Sequence, residues 1–359
     1  MAAALLSLWL QTSQALADTV LRIATYATDL ERAGPGLLYR DILTGEDEQV
    51  EAVAQIIADA RPDILVLQSI DYDHNRRALL ALRDRIDAYG WYLGHAFSRM
   101  PNAGLATGLD LDGDGRRGGP RDAQGYGEFL GQGGMAVLSR FPMDEDRMTE
   151  FTGLLWRDLP GALLPATADG PFPSADAQAV QRLSSVAHWV LPVRVRDKTL
   201  NILTFHASPP VFDGPEDRNG RRNHDEITIW QAYLDGALGA LGPPPARPFV
   251  LAGDANLDPV DGDGRKSAIR ALLTDDRFQD PAPRRAGAPQ QGEGHTGDPA
   301  LDTVSWPGPD PGDLRVSYVL PSSDLSVVDA GVIWPEAGAL ADRVRRASRH
   351  RLVWVDIRF

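Results

Sequence analysis

The stretch Phe249-Val250-Leu251-Ala252-Gly253-Asp254-Ala255-Asn256-Leu257-Asp258 decides the fold of this chain. Its first four residues are apolar without interruption, which is typical of a strand buried on both faces. Gly253 ends the run, and a carboxylate and a carboxamide follow it, two residues apart. Because residues two apart in an extended chain share a face, we expect Asp254 and Asn256 to project together from the end of the strand. Such a pair suits a hard divalent cation and a phosphate oxygen, and it would equally suit an Asp turn before a helix.

The segments on either side of this strand predict a layered α/β domain. Residues 48–60 carry apolar side chains at helical spacing, and residues 76–89 carry a second helical pattern that ends at Gly90. The opening order of strand, helix, strand and helix indicates an α/β architecture without an internal repeat. Short apolar runs predict strands at residues 21–26, 64–67, 135–138, 188–195, 199–205, 301–306, 315–320 and 351–359.

The composition is that of an acidic globular protein. The chain has 359 residues, of which 43% are hydrophobic and 24% charged, so it can bury a substantial core. The formal net charge is −14 at pH 7. Because tight sequence-independent binding to nucleic acid needs Lys and Arg that displace counterions, this charge disfavours a nuclease, although divalent ions would offset it locally. The chain contains no cysteine, which excludes disulfides and thiolate sites.

Residues 1–17 are typical of an export signal. Residues 2–10 form an apolar core, and Ala15-Leu16-Ala17 before Asp18 has the small-x-small pattern that signal peptidase cleaves. The positively charged start of such signals is missing, and a short buried or membrane-anchoring helix would also fit. We therefore expect a signal peptide at residues 1–17, one domain at residues 18–359, no later membrane span, and a periplasmic or secreted protein.

Short motifs at strand ends accompany Gly253-Asp254-Ala255-Asn256 along the chain. They are Leu21-Arg22-Ile23-Ala24-Thr25-Tyr26, Pro62-Asp63-Ile64-Leu65-Val66-Leu67-Gln68, Gly133-Gly134-Met135-Ala136-Val137-Leu138-Ser139-Arg140-Phe141-Pro142, Leu203-Thr204-Phe205-His206, Arg315-Val316-Ser317-Tyr318-Val319 and Ser348-Arg349-His350. In this order, and over nearly the whole chain after residue 18, they resemble the endonuclease/exonuclease/phosphatase superfamily. That group includes pancreatic-type deoxyribonucleases, abasic-site endonucleases, bacterial sphingomyelinases and inositol-phosphate phosphatases. The resemblance implies an α/β (α+β) fold, a four-layer sandwich of two packed β-sheets flanked by helices.

The resemblance also implies a phosphoester-cleaving site with a divalent cation, Mg²⁺ or Mn²⁺, or alternatively Ca²⁺. A metal ion stabilises charge on phosphoryl oxygens and acidifies water, while a histidine accepts a proton near neutral pH. By the resemblance, His350 is the general base and His206 donates to a non-bridging phosphate oxygen. Asp254 and Asn256 would be catalytic residues that also bind metal. Two structural histidines that bond backbone carbonyls would leave the same pattern in the sequence.

Four positions depart from the pattern of this family. Ala27 stands where the family has asparagine, and Ser69 stands where it has the glutamate that is its principal metal ligand. Ser317 and Arg349 stand where it has aspartates. Without these ligands, Asp254 would carry too little charge to hold a divalent ion tightly.

Nearby acidic residues offer replacements for the missing ligands. Strand alternation places Asp71 on the same face as Ser69, and Asp29 on the same face as Ala27. Asp71 is therefore the expected additional metal ligand. Asp302 is a candidate for orienting a histidine in place of the missing aspartate.

Arginines in two segments are candidates for binding the substrate phosphate. Residues 217–226 form the densest cationic patch of the chain and open a helix, whose N-terminus also favours anions, so we expect Arg218 and Arg221 to contact phosphate. Arg349, next to His350, offers a planar fork for a phosphate or a carboxylate. A salt-bridged loop would explain the same patch equally well.

Residues 99–132 form a long connection rich in Gly, Asp and Arg. Within it Asp110, Asp112 and Asp114 match the front half of a calcium loop. The twelfth position is Arg121 rather than glutamate and no helices flank the segment, so this is not an EF-hand, but Asp122 would close a shorter loop. We expect a separate calcium site here, with a solvated acidic loop as the alternative.

The sequence therefore predicts an exported, metal-dependent phosphoesterase that hydrolyses phosphomonoesters or phosphodiesters, nucleic acid included. Its substrate would be a small phosphate ester, a lipid headgroup or a nucleic acid. The alternative is a catalytically degenerate relative that binds an anionic ligand or calcium without turnover. The residues at Ala27, Ser69 and Ser317 favour that alternative.

Overall fold

The structure, a computed structural model, describes residues 19–286, 294–308 and 311–359, so the predicted signal peptide at residues 1–17 lies outside the described residues. The strands are β1 (Val20–Leu30), β2 (Ile64–Ile70), β3 (His95–Phe97), β4 (Gly134–Ser139), β5 (Thr149–Glu150), β6 (Ala166–Thr167), β7 (Gly170–Pro171), β8 (His188–Val195), β9 (Lys198–His206), β10 (Phe249–Asp254), β11 (Val304–Ser305), β12 (Asp313–Leu314), β13 (Ser317–Pro321), β14 (Ser326–Val332) and β15 (Val353–Arg358). The α-helices are α1 (Leu37–Thr44), α2 (Glu48–Ala60), α3 (Arg77–Ala88), α4 (Ala175–Val180), α5 (Arg218–Leu234), α6 (Ser267–Leu273) and α7 (Ala339–Ala347). None of the described helices has both the length and the apolar character that a membrane span needs.

Two mixed sheets form the centre of the fold. One has six strands in the order β14-β15-β1-β2-β4-β3, and the other has five in the order β13-β10-β9-β8-β5. Within them β1 and β2 run parallel, and so do β9 and β10. Because parallel neighbours end at the same edge of a sheet, each sheet brings two adjacent strand ends together.

Three hydrophobic clusters separate four layers of secondary structure. The first joins α1, α2, α3 and α7 to the outer face of the six-stranded sheet, the second lies between the sheets, and the third joins α5 and α6 to the outer face of the five-stranded sheet. Alternate residues of β2 divide between two of the clusters, since Leu65 and Leu67 face the helices whereas Ile64 and Val66 face the other sheet. The predicted four-layer sandwich is confirmed.

Local sequence signals determine some elements well and others poorly. The helix predicted at residues 48–60 is α2, and Asp47 caps it by accepting the backbone N–H of Val50 at 2.9 Å. The strand predicted at residues 301–306 shrinks to Val304–Ser305. No pattern in the sequence predicts α1, β14 or α7, because none of these elements contains a long apolar run.

The strands β1 and β2 both bulge near their carboxyl ends. In the β1–β2 pairing, Ala27 lies opposite Gln68 and Leu30 opposite Ile70, so β1 contains one extra residue. A similar shift interrupts the pairing of β2 with β4 after Gln68. Both strands have a left-handed residue at the bulge, with a φ of 52° at Asp29 and at Ser69. A bulge changes the face to which the following side chains point, so simple alternation fails beyond these positions.

Candidate active site

Three strands of the five-stranded sheet bring polar side chains to one edge. The parallel pair β9 and β10 places His206 beside Asp254, and antiparallel β13 places Ser317 on the other side of Asp254. Gly253 permits this arrangement, because an added Cβ would lie 2.5 Å from the carbonyl oxygen of Phe205 on β9. The glycine that ends the apolar run in the sequence is thus required by the close approach of two backbones.

A cavity of about 740 Å³ opens beside these strand ends. Both sheets contribute to its wall, through the segments that follow β1, β2, β9 and β10 and those that precede β13 and β15. His206, Asn256 and His350 all line it, so three residues that are far apart in the sequence meet here as predicted. Apolar side chains, among them Val186, Pro210, Phe212 and Trp306, complete the wall.

His350 and Asp254 form a buried pair next to the cavity. His350 Nδ1 lies 3.1 Å from Asp254 Oδ2, an ion-pair contact whose angle falls outside hydrogen-bond geometry, and Ser317 Oγ donates to the same oxygen at 3.3 Å. The Asp254 side chain is 0% exposed, and burial alone would raise its pKa. The charge and close contact of His350, the charge of His206 and the backbone N–H of Asn256 outweigh burial and hold the pKa of Asp254 below its usual range. Both oxygens of Asp254 therefore already interact with protein groups.

His206 faces the same cavity from the neighbouring strand. Its Nδ1 is buried and has no hydrogen-bond partner among the described residues. Burial lowers the pKa of His206, and the opposing charges of Asp254 and Glu31 only partly offset that effect. The imidazole of His206 is consequently neutral at neutral pH.

Asn256 is held by its neighbours in a defined orientation. Its backbone N–H donates to Asp254 Oδ1 at 2.8 Å, and its side-chain Nδ2 donates to the carbonyl oxygen of Ala207 at 2.8 Å. The residue is left-handed, with a φ of 49°. Because Nδ2 is engaged, the side-chain oxygen of Asn256 is the atom available as a ligand or acceptor in the cavity.

Arg349 also lines the cavity, but its guanidinium is bonded to Asp29. Nε donates to Asp29 Oδ2 at 3.1 Å and Nη2 to Oδ1 at 3.0 Å, while the backbone N–H of Arg349 donates to Oδ2 at 3.0 Å. The guanidinium lies over the ring of Trp306, 4.8 Å from its centroid. Burial would raise the pKa of Asp29, but the bonds from Arg349 and the charge of His350 lower it overall. The planar fork predicted to bind substrate is thus occupied by a carboxylate of the protein.

The bulges decide which acidic residues reach the cavity. Asp71 is not among its described lining residues, because its oxygens accept the backbone N–H groups of Gly133 at 3.1 Å and Arg32 at 2.9 Å. Burial raises the pKa of Asp71 to about 6 despite these two bonds. This placement differs from the sequence-based expectation, because the left-handed Ser69 interrupts the alternation on which it rested. Glu31, which the sequence analysis does not name, lines the cavity instead.

The two arginines of the cationic patch are not among the described residues that line the cavity. Arg218 Nη1 donates to the backbone carbonyl of Leu111 in the acidic loop, and burial lowers the pKa of Arg218. Arg221 Nε donates to the carbonyl oxygen of Glu216 at 3.1 Å. These contacts brace the acidic loop and the start of α5, so the expected contact with substrate phosphate is not supported.

The acidic loop gathers a carboxylate cluster outside the cavity. Oxygens of Asp110, Asp112 and Asp122 lie within 4.8 Å of one another, and such a group could hold a metal ion. Asp114, which the calcium-loop pattern includes, is not part of this cluster, and its Oδ1 accepts the backbone N–H of Arg116 at 2.7 Å. Asp122 takes its place, as the shorter loop suggested by the sequence would require.

Comparison with known proteins agrees with this geometry. A model of the Endonuclease/Exonuclease/phosphatase family matches residues 42–350. The chain belongs to this family. The reactions in the family's name all cleave phosphoester bonds. No curated protein sequence matches the chain.

Solved structures of endonuclease/exonuclease/phosphatase proteins share the fold of this chain. The protein of this family from Beutenbergia cavernae DSM 12333 aligns with a TM-score of 0.55 and 19% identity, over 95% of this chain and 72% of that one. The family protein from Leptotrichia buccalis C-1013-b aligns with a TM-score of 0.51 and 14% identity, over 94% of this chain and 100% of that one. Sphingomyelinase C from Streptomyces griseocarneus aligns with a TM-score of 0.50 and 18% identity, over 94% and 99%. At these identities the likeness shows the fold alone.

Enzymes of the endonuclease/exonuclease/phosphatase family generally depend on a divalent cation, and the lining of this cavity has the oxygen donors that such a cation prefers. Among the described lining residues, the carboxylates of Asp29, Glu31, Asp258 and Asp263 face a single guanidinium, that of Arg349. An oxygen-rich lining with an excess of negative charge suits a hard cation. The same charge would repel a phosphate group that arrives without a cation.

Proposed function

We propose that this protein is an exported phosphoesterase that hydrolyses a phosphomonoester or phosphodiester with the help of a divalent cation. The observation that carries the proposal is the pairing of His350 Nδ1 with the buried carboxylate of Asp254, 3.1 Å away, at the wall of a cavity that also contains His206. A histidine whose one nitrogen faces a carboxylate is the usual form of a general base.

The proton would move through His350. With Nδ1 protonated toward Asp254, Nε2 carries the lone pair, and it would take a proton from water as the water oxygen attacks phosphorus. Asp254 is ionised at neutral pH, because its pKa lies below the usual range, and it would stabilise the imidazolium that forms. The imidazolium would then return the proton to solvent or to the departing alkoxide.

His206 and Asn256 would hold the phosphoryl group while this happens. His206 is neutral, so it would donate one N–H to a non-bridging oxygen. Asn256 would offer its side-chain oxygen to the cation, together with carboxylates of the cavity wall. When bound, a divalent cation lowers the pKa of water and offsets the negative charge that develops on the phosphoryl oxygens.

The charge of the lining bears on the substrate. Because carboxylates outnumber guanidinium groups among the described lining residues, a substrate with one phosphoryl group would bind more readily than a polyanion. The net charge of −14 acts in the same direction over longer distances. We therefore propose a small phosphate ester or a lipid headgroup ahead of nucleic acid.

Hydrolysis of p-nitrophenyl phosphate and bis-p-nitrophenyl phosphate tests the proposal. We expect turnover with Mg²⁺ or Mn²⁺ that a chelator abolishes. His350→Gln should lower kcat by roughly a hundredfold or more, the usual contribution of a general base. The matched control is His95→Gln on β3, a histidine that is not among the described lining residues of the cavity, and it should keep its activity. Equal activity of both variants would refute the role of His350.

The second candidate function is a degenerate relative that binds an anion or calcium without turnover. The observation that favours it is the bond between Arg349 and Asp29, which ties up two charged groups of the cavity wall. Absence of chelator-sensitive turnover, together with retained binding of phosphate or Ca²⁺ by the purified protein, would favour this candidate.

Export is proposed on the pattern at residues 1–17. Expression of the full chain in a bacterium, followed by fractionation and N-terminal sequencing, tests it. We expect a periplasmic or secreted protein that begins at Asp18, and a cytoplasmic protein with an intact N-terminus would contradict export.

A further inference from the structure

Glu31 is brought to the cavity by the bulge at the end of β1. The extra residue between Ala27 and Leu30 and the left-handed conformation of Asp29 turn the chain as the strand ends. Glu31 follows at once and, like His206, lines the cavity. Its position therefore depends on the backbone geometry of the two strands that frame the cavity.

The carboxylate of Glu31 differs from its acidic neighbours in having no protein partner. Asp29 is bonded to Arg349, and Asp258 accepts backbone N–H groups at 2.6 to 2.7 Å. No described residue donates a hydrogen bond to the Glu31 side chain or pairs with it. Asp263 also has no partner among the described residues, but it lies in the loop after β10, whereas Glu31 follows directly on the end of β1.

Gly133 leaves room for this carboxylate. An added Cβ at Gly133 would lie 2.7 Å from Glu31 Oε1, closer than real Cβ contacts allow. Across the same cavity wall, the buried Nδ1 of His206 has no hydrogen-bond partner among the described residues. An exposed carboxylate and a buried imidazole nitrogen, neither with a partner among the described residues, thus occur at the same cavity.

We propose that Glu31 is a carboxylate ligand of a divalent cation, Mg²⁺ or Mn²⁺, in this cavity, with the side-chain oxygen of Asn256 as a second protein ligand. The proposal rests on the cation dependence of the proposed function. It replaces the sequence-based assignment of Asp71, whose oxygens are bonded to backbone N–H groups. Asp254 is not assigned as a cation ligand, because both of its oxygens already contact protein groups, and it serves as the partner of His350.

Direct titration with Mn²⁺ tests the proposal without any use of activity. The full-length protein is stripped with a chelator and titrated by calorimetry or by the EPR signal of free Mn²⁺. Asp110→Asn and Asp112→Asn are introduced in every sample, so that the carboxylate cluster of the acidic loop contributes no signal. We expect Glu31→Gln to weaken Mn²⁺ binding in the cavity at least tenfold and Glu31→Asp to weaken it less.

The matched control is Asp276→Asn, which removes an exposed carboxylate that is not among the described lining residues of the cavity and should change the affinity less than twofold. Thermal unfolding of metal-free Glu31→Gln should match that of the parent protein. Unchanged affinity in Glu31→Gln, or absence of any Mn²⁺ binding by the parent, would overturn the proposal. If hydrolysis persists while Glu31→Gln binds Mn²⁺ normally, the ligand assignment fails and the phosphoesterase survives. If Glu31→Gln no longer binds Mn²⁺ but the parent has no activity, the ligand assignment stands and the phosphoesterase proposal fails.

Discussion

Replacing Arg349 by alanine should destabilise the protein by about 1–2 kcal/mol at pH 7, while substrate KM changes little. The variant loses two charge-assisted hydrogen bonds to Asp29, at 3.1 and 3.0 Å, each worth roughly 1.5–3 kcal/mol in a buried setting. Solvent reduces that value, because the Arg349 side chain is 54% exposed whereas that of Asp29 is 19% exposed. The backbone N–H of residue 349 still reaches Asp29 Oδ2 at 3.0 Å, so the carboxylate keeps part of its support.

The loss should depend on pH in a defined direction. Burial opposes ionisation of Asp29, but Arg349 and His350 bring its pKa below the ordinary value. A carboxyl group with a depressed pKa in the folded state contributes stability above its unfolded pKa of about 3.9, and it loses that contribution as the pH falls through the folded value. The difference in free energy of unfolding between the parent and Arg349→Ala should therefore be largest at pH 7 and decrease toward pH 3.

Urea unfolding followed by tryptophan fluorescence at several pH values measures this difference. Arg346→Ala is the control, because Arg346 forms a longer ion pair with Glu48 at 3.5 Å and both side chains are more than half exposed. It should cost less than about 0.5 kcal/mol. Equal stability of Arg349→Ala and the parent at pH 7, or a loss that persists at pH 3, would refute the reasoning. A tenfold rise in KM with unchanged stability would instead indicate that Arg349 contacts the substrate.

Three further changes have expected outcomes. Burial and the charge of Asp258 raise the pKa of Asp302 to about 7, whereas the unfolded chain ionises this group near pH 3.9. The resulting loss of stability is therefore absent below about pH 4, grows as the pH rises to about 7 and stays constant above it. Asp302→Asn should raise Tm at pH 8 and leave it unchanged at pH 4 in a calorimetric scan. Ser69→Glu adds a carboxylate to the cavity wall and should tighten Mn²⁺ binding severalfold by calorimetry, whereas equal or weaker binding would place the cation elsewhere. Gly133→Ala puts a Cβ 2.7 Å from Glu31 Oε1 at a residue with a φ of 60°. We expect the free energy of unfolding in urea to fall by about 1 kcal/mol and Mn²⁺ binding to weaken. Normal Mn²⁺ binding would show that Gly133 does not determine the position of Glu31.

The sequence was sufficient for the strands and for much of the candidate site because both depend on short-range order. A run such as residues 249–252 is apolar at every position only where both faces are covered, and the structure buries all four residues. Once the strands pair in parallel, His206 and Asp254 must lie side by side, as the register shows. The three predicted residues at the cavity follow from strand order and strand ends alone.

Alternation identified Asp29 but not the other acidic residues of the cavity, because bulges interrupt the strands and the remaining carboxylates lie beyond the strand ends. Left-handed conformations at Asp29 and Ser69 carry no marker in the sequence, since neither residue is glycine. Counting by twos from Ser69 therefore selects Asp71, which the bulge in β2 turns away from the cavity, while the same count from Ala27 stops at Asp29, one step before Glu31. The partner of His350 was missed for another reason. The sequence offered Asp302 as a substitute for the absent aspartate, whereas the structure uses Asp254 on β10, the strand next to the β13 residue Ser317 that replaces that aspartate.

Asp254 was expected to bind the metal ion, but in the structure it is the partner of His350, and this difference leads to a last prediction. A carboxylate that is 0% exposed, faces His350 at 3.1 Å and accepts the N–H of Asn256 at 2.8 Å can orient the base, but it has little capacity left for a cation. Base and cation should therefore respond to different substitutions. Asp254→Asn should lower kcat by a hundredfold or more and change Mn²⁺ affinity by less than about threefold. Glu31→Gln should weaken Mn²⁺ binding at least tenfold but change kcat little once Mn²⁺ is saturating. Measuring kcat and Mn²⁺ affinity for both variants separates the two roles. If Asp254→Asn loses Mn²⁺ as fully as Glu31→Gln does, one carboxylate serves both purposes and the division of labour is wrong.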